Sequence, residues 1–264
     1  MANDLVLTDV DRRGVATVTI NRADVNNAYN GDMTQQMLAA FGAVAADPQA
    51  RVVVLRGNGR HFQAGADLKW ILSLQKSSFE ENLKVSQATT DAIRGLNEFP
   101  MPTIALVHGG CFGGGVGVAS SCDIVIASED AFFAITEAKW GLMAAPIYPQ
   151  LIARLGVANT RRYSLTCERF NAQKAREIGL VDEVCPTGGL DAAAAPLLEQ
   201  LLDCPPQALA ETKASILECA NLIIDDKRAA ELALPHARKR LTDEATEGLS
   251  SFVEKRAPKW RPAA

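Results

Sequence analysis

Histidine is scarce, with three in 264 residues, and His61, His108 and His236 are too scattered along the chain to suggest a metal cluster. The six cysteines, Cys111, Cys122, Cys167, Cys185, Cys204 and Cys219, include no CxxC pair and sit among mostly apolar neighbours. That spacing argues against a zinc site or a disulfide framework and for reduced, buried thiols. No apolar run reaches the ~18 residues of a membrane span, and the opening MANDLVLTDVDRR lacks the basic-then-apolar order of a secretion signal. A large excess of either charge is missing too: 27 Lys and Arg stand against 31 Asp and Glu, for a net charge of -4. Without a basic patch carrying interleaved aromatics, a nucleic-acid surface is not expected. These absences point to a cytoplasmic protein with neither membrane nor nucleic acid as partner.

What is present is a large core, since 48% of the residues are hydrophobic and the chain is long enough to bury them in one large domain with a C-terminal extension. Residues 15–20 (VATVTI) alternate as a half-buried strand does, whereas 52–55 (VVVL) form a continuous apolar run typical of a strand covered on both faces. Residues 103–107 and 124–127 read similarly. Helical periodicity over 33–46 and 80–96 separates these strands, and the order strand, helix, strand, helix, strand predicts α/β architecture. Beyond residue 137 the pattern becomes helical, over 150–155, 159–166, 172–178, 190–202, 206–221, 225–240 and 243–255. Only 180–184 interrupts it as a strand. Pro205 and Pro206 supply a stop followed by a favoured helix start.

Three places can carry chemistry. The turn HFQAGADL at His61 to Leu68 is built of small residues that leave the backbone N–H of Ala66 accessible, with Asp67 as cap of a following helix; an ordinary strand-to-helix turn would look the same. Gly113, Gly114 and Gly115 lie between a strand and a short helix at 116–121, so backbone N–H groups there are open to an oxyanion. Close helix–strand packing is the competing explanation. A dinucleotide loop is disfavoured, because glycines at i, i+2 and i+5 are not found. Glu137 stands in the apolar and small-residue segment FFAITEA. If buried, its pKa rises towards the working pH of a general acid/base; if exposed, it merely caps a helix.

Together, AGAD at 64–67, GGCFGGGVG at 109–117, CDI at 122–124 and FAITEAKWGL at 133–142 resemble the enoyl-CoA hydratase/isomerase superfamily, the crotonases. Asn21-Arg22, AREIGLVDEV at 175–184 and EGLSSFVEKRAPKW at 247–260 extend the match over nearly the whole chain. The resemblance implies a crotonase (ClpP-like) spiral of stacked ββα units at about residues 1–200 and a helical C-terminal region at 201–264 that makes trimer contacts, often within a dimer of trimers. It further implies an acyl-CoA substrate and no cofactor. The backbone N–H groups of Ala66 and Gly114 match the oxyanion hole that would hold the thioester oxygen, with Gly113 beside them. Arg22, Val25, Ala64, Ala66 and Asp67 would lie along CoA, Trp70 (with Leu72 and Leu74) along the acyl pocket, and Phe252 and Lys255 would reach a neighbour's nucleotide.

One position departs from the pattern of the hydratases with two glutamates: the first glutamate is replaced by Gly117, leaving Glu137 alone. Such single-glutamate chains resemble bacterial hydratases of glutaconyl-type CoA esters, of 3-methylglutaconyl-CoA in leucine breakdown or isohexenylglutaconyl-CoA in acyclic terpene breakdown. Gly117 would then leave room for the substrate's distal carboxylate, and Glu137 would either carry both proton transfers or recruit another donor, Thr136 and Tyr148 being near it in sequence. The rivals are a Δ3,Δ2-enoyl-CoA isomerase, for which one carboxylate suffices, and a non-catalytic acyl-CoA-binding protein.

Overall fold

The computed structural model describes residues 4–262. In chain order its elements are β1 (Val6–Val10), β2 (Val15–Ile20), α1 (Gly31–Ala46), β3 (Val52–Gly57), α2 (Leu68–Leu74), α3 (Phe79–Asn97), β4 (Thr103–Val107), β5 (Gly110–Phe112), α4 (Gly114–Ser120), β6 (Ile124–Ser128), β7 (Phe132–Ala134), α5 (Tyr148–Thr166), β8 (Phe170–Asn171), α6 (Ala172–Glu177), β9 (Glu183–Cys185), α7 (Leu190–Asp203), α8 (Pro206–Cys219), α9 (Asp226–Arg240) and α10 (Asp243–Val253). The strands form a six-stranded sheet of order β1-β2-β3-β4-β6-β9 and a smaller one of order β5-β7-β8. From β2 to β9 the large sheet is parallel, and only β1 joins it antiparallel.

The continuous apolar runs are explained by two cores. Val53, Leu55, Ala105, Val107, Val125 and Ala127 face the main core with α1 and α3. Val52, Val54, Ile104, Leu106 and Ile126 face the second, closed by Leu190, Ala194 and Leu198 of α7. A strand buried on both faces has no polar alternation to show. After β4 and again after β6 the chain turns a corner into a three-residue strand of the small sheet, where β5 and β7 pair in parallel. These two turns of the coil are therefore strand, strand, helix.

Several boundaries differ from expectation. β1 was not anticipated, since VLTDV is an edge strand with three exposed residues and carries little apolar signal. The expected strand 180–184 shrinks to Glu183–Cys185, because Leu180 and Val181 turn into the core with their N–H groups on Ala175 O. The predicted helices at 150–155 and 159–166 form α5, broken at Gly156 with φ of 69°. α7 spans residues 190–203, so the expected division after residue 200 falls inside one helix. Nor do the C-terminal helices stand apart from the spiral. α9 packs along α3, and α10 packs on α2 and on the 3-10 helix Glu137–Trp140. No helix of the described residues is long and apolar enough to cross a membrane.

Candidate active site

Two backbone segments converge on the glycine cluster. Residues 63–66 run beside 110–114, with Gln63 N–H donating to Gly110 O and Phe112 N–H to Gln63 O. A Cβ on Gly65, whose φ is +80°, would stand 2.7 Å from Phe112 O and 3.3 Å from Gly114 N, so only glycine permits this approach. On the other side Tyr29 forms a parallel bridge with Ala66: its N–H donates to Gly65 O, and its C=O accepts from Asp67 N–H. In a parallel bridge the flanking residues make both bonds, so Ala66's own N–H points away from Tyr29. At Gly113, φ of +50° reverses the chain; its N–H donates to Ala134 O, its C=O accepts from Val116 and Gly117, and α4 starts at Gly114. Among the described residues, neither Ala66 N–H nor Gly114 N–H has an acceptor. Both residues line one cavity.

Glu137 lines that same cavity. It opens the 3-10 helix Glu137–Trp140, beside Gly113, where a Cβ would come within 2.9 Å of Glu137 Oε1 and 3.2 Å of Thr136 Oγ1. Its Oε2 is buried without a hydrogen-bond partner. Burial pushes the carboxyl pKa up to about 7, against the smaller opposing pull of the Glu137 and Thr136 backbone. The helix is pinned from behind by α10. A Cβ on Gly248 would stand 2.9 Å from Trp140 Cα, and one on Gly141, at φ of +68°, 2.5 Å from Glu244 O.

The rest of the cavity is mostly apolar, with Met33, Met37 and Phe41 of α1 facing Ile93 and Leu96 of α3. Six polar lining residues were not singled out from sequence as site residues: Tyr29, Thr34, Gln63, Thr89, His236 and Arg240. Tyr29 packs against Gly114, where a Cβ would meet its ring at 2.8 Å and its hydroxyl at 3.3 Å. Its phenol is pushed up to about 12 by burial and then by Glu137, with Arg240 opposing. For Arg240 the signal lay in helical register: Ala229, Leu232, Ala233, Ala237 and Arg240 are the buried face of α9, and spacing places a cation on an apolar stripe.

A carboxyl group poised near neutrality, beside two unpaired backbone N–H groups in a largely apolar cavity, is equipped to stabilise an enolate and move protons. The enoyl-CoA hydratase/isomerase family model matches residues 11–263. An enoyl-CoA hydratase of Mycobacterium tuberculosis is 30% identical over 96% of this chain and 95% of its own. The 2,3-dehydroadipyl-CoA hydratase of Escherichia coli is 30% identical over 94% of this chain and 95% of its own. The crystal structure of an enoyl-CoA hydratase from Shewanella pealeana superposes with a TM-score of 0.79 at 36% identity, covering 97% of this chain and 96% of the other.

The chain belongs to the enoyl-CoA hydratase/isomerase family. Its fold is the crotonase spiral with a helical C-terminal region, and it is an enzyme of that family. Other site residues expected of a crotonase are placed differently from the cavity group. Gly117 does not open space for substrate: a Cβ there would stand 2.8 Å from Ile147 Cβ, and Ile147 fills the region. Arg22 is anchored, with Nη1 held by Ala28 O at 2.7 Å and Asp67 Oδ2 at 3.0 Å. Asp67 is the cap foreseen for it, with Oδ1 accepting from Lys69 and Trp70 N–H. Trp70 backs Tyr29 edge-on at 6.2 Å and borders a separate depression beside Gly31, so Ile71 instead lines the cavity from α2. Val25 ends a 3-10 turn, and Ala64 N–H is bound to Asn26 O. Phe252 and Lys255 border another groove with Lys139 and Trp140, where Phe252 meets the Trp140 ring at 5.0 Å. Tyr148 is close enough for Glu137 to add to the upward push that burial gives its phenol. Among the described residues no group of three His, Cys, Asp or Glu side chains could hold a metal ion.

Proposed function

We propose that the protein hydrates a 2-enoyl-CoA thioester of branched glutaconyl type, without a cofactor, using Glu137 as its single acid/base. The observation that carries this reading is the single cavity lined by Glu137, whose Oε2 is unpartnered, and by Ala66 and Gly114, whose N–H groups have no acceptor among the described residues. Glu137 removes a proton from water as oxygen adds at Cβ. The negative charge passes to the thioester oxygen, where the two N–H groups hold it. Cα then takes the proton from Glu137, closing the balance. Preorganised donors of this kind are each worth about 3–4 kcal/mol of barrier. With Ile147 occupying the space at Gly117, both proton transfers fall to Glu137, for which a pKa of about 7 suits either direction.

The apolar compartment formed by Met37, Phe41, Ile93 and Leu96 supports a branched acyl group, as in 3-methylglutaconyl- or isohexenylglutaconyl-CoA. The E. coli relative named for 2,3-dehydroadipyl-CoA supports a dicarboxylic substrate. Assembly as a trimer or a dimer of trimers belongs to the same reading; Ile152, Val157 and Leu165 on α5 are exposed and available to be covered.

The second reading, a Δ3,Δ2-enoyl-CoA isomerase, needs no more than the one carboxylate present. Incubation with 3-methylglutaconyl-CoA is expected to remove the conjugated absorbance and yield a 3-hydroxyacyl-CoA. Absence of that loss, together with rising absorbance from a 3-enoyl-CoA, would establish the isomerase instead.

A further inference from the structure

Arg240 is the largest of the fully buried side chains, 1% exposed, and ends α9 facing the acyl cavity. Among the described residues no carboxylate pairs with it. Its bonds are to neutral groups on one face of α3: Nη1 to Asn82 O at 3.4 Å and Asn82 Oδ1 at 3.1 Å, and Nη2 to Ser86 Oγ at 3.4 Å. Asn82 is itself fixed, because its amide nitrogen donates to Leu74 O and Ser78 O and so turns Oδ1 toward the guanidinium. That leaves Nε–H and one Nη2–H with no acceptor among the described residues. One turn earlier on α9, His236 lines the same cavity with a buried, unpartnered Nδ1.

A guanidinium stripped of water without an anion is an expensive feature, and proteins bury charges in pairs. Burial disfavours its charged form, and Tyr29 is the one neighbour favouring it. The missing anion has a natural source, since the charge faces the cavity that holds Glu137, Ala66 and Gly114. Tyr29 links the two regions. Its ring rests on Gly114, and its phenol feels both Glu137 and Arg240.

The direction of α3 sorts the cavity. Asn82 and Ser86, which clasp Arg240, lie near its start, and Ile93 and Leu96 near its end, about 15 Å separating residues 86 and 96 at the helical rise. The geometry points to Arg240 as the receptor for a carboxylate at the far end of the acyl chain, with the apolar end of the cavity taking an uncharged branch. This rests on the glutaconyl-type reading above and names the residue that would enforce it. It also replaces Gly117 as the place where that carboxylate is accommodated. Because Arg240 is already desolvated and held in place, an incoming carboxylate meets a preorganised fork.

The test uses unreactive saturated esters of equal chain length, glutaryl-CoA and valeryl-CoA, titrated calorimetrically against the full-length protein. Wild type should bind glutaryl-CoA about tenfold or more tightly than valeryl-CoA, the scale of a hydrogen-bonded charge pair. Arg240→Met should abolish that preference, and Arg240→Lys, which keeps the charge but not the fork, should retain part of it. Equal binding of the two esters by wild type overturns the assignment, while hydration of an uncharged 2-enoyl-CoA would leave the hydratase reading intact. A preference that survives in a folded Arg240→Met also overturns it, because another cation would then be responsible. Failure of both esters to bind removes the assignment and the glutaconyl-type reading together. If Arg240→Met does not fold, the wild-type comparison and Arg240→Lys decide, full glutaryl preference in the lysine variant counting against the fork.

Discussion

Ile147 stands where a side chain on Gly117 would have to go, its Cβ 2.8 Å from the position of a Gly117 Cβ. Both residues are buried, Gly117 within α4 and Ile147 in the 3-10 helix that leads into α5. The glycine at 117 and the β-branched side chain at 147 are therefore a single packing solution. A well-packed core cannot accept the added volume without displacement.

Gly117→Glu is accordingly expected to destabilise the protein by about 3 kcal/mol or more, combining overpacking with a buried charge. Gly117→Glu with Ile147→Gly should recover much of that loss. Thermal melts of the two variants check this, and equal stability of the two would show that Ile147 is not the obstacle.

Glu137→Gln should lower turnover by about 100-fold or more, the usual contribution of a general acid/base, while wild-type kcat/KM rises with pH through about 7 as the carboxylate forms. Stability runs the opposite way. Between the ordinary carboxyl value of 4.5 and about 7 the folded protein keeps a proton that the unfolded chain has released, so stability falls as pH rises. Glutamine carries no such charge. The variant should therefore gain about 1–3 kcal/mol over wild type at pH 8 and nothing at pH 5, discounting the shift for the half-buried position of the residue. Denaturant titrations at the two pH values read the difference.

Gly248→Ala tests the support behind the acid. A Cβ there meets the Trp140 backbone, with 2.5 Å to its carbonyl carbon, so α10 must retreat or the Glu137 helix must shift. The expected result is a fall in kcat of about tenfold or more with KM little changed, since small misplacement of a reacting group is costly. Unchanged kcat would mean that α10 does not position Glu137.

Much of this molecule was legible in the chain. Alternation at 15–20 and the all-apolar run at 52–55 marked β2 and β3, because burial on one face or on both leaves different residue patterns. Small residues at 64–66 and 113–115 marked two segments with accessible backbone N–H groups; that the two run side by side is shown by the tertiary structure. The edge strand β1, half exposed, left no such trace. Glu137 was ambiguous for a similar reason: the same letter caps a surface helix or titrates near neutrality, and only burial against Gly113 separates the two.

The sequence by itself determined the α/β alternation, the small residues at 64–66 and 113–115 and the presence of one acid, which follow from local residue size and periodicity, while the spiral and the pairing of Ala66 with Gly114 were what the family resemblance implied. Tertiary structure alone decided that Ile147 closes the space at Gly117, that Arg22 is held by Asp67 and that Arg240 turns inward. Those outcomes depend on which distant segments the coil stacks together, and a contact between α9 and α3, more than 150 residues apart at Arg240 and Asn82, has no local signature.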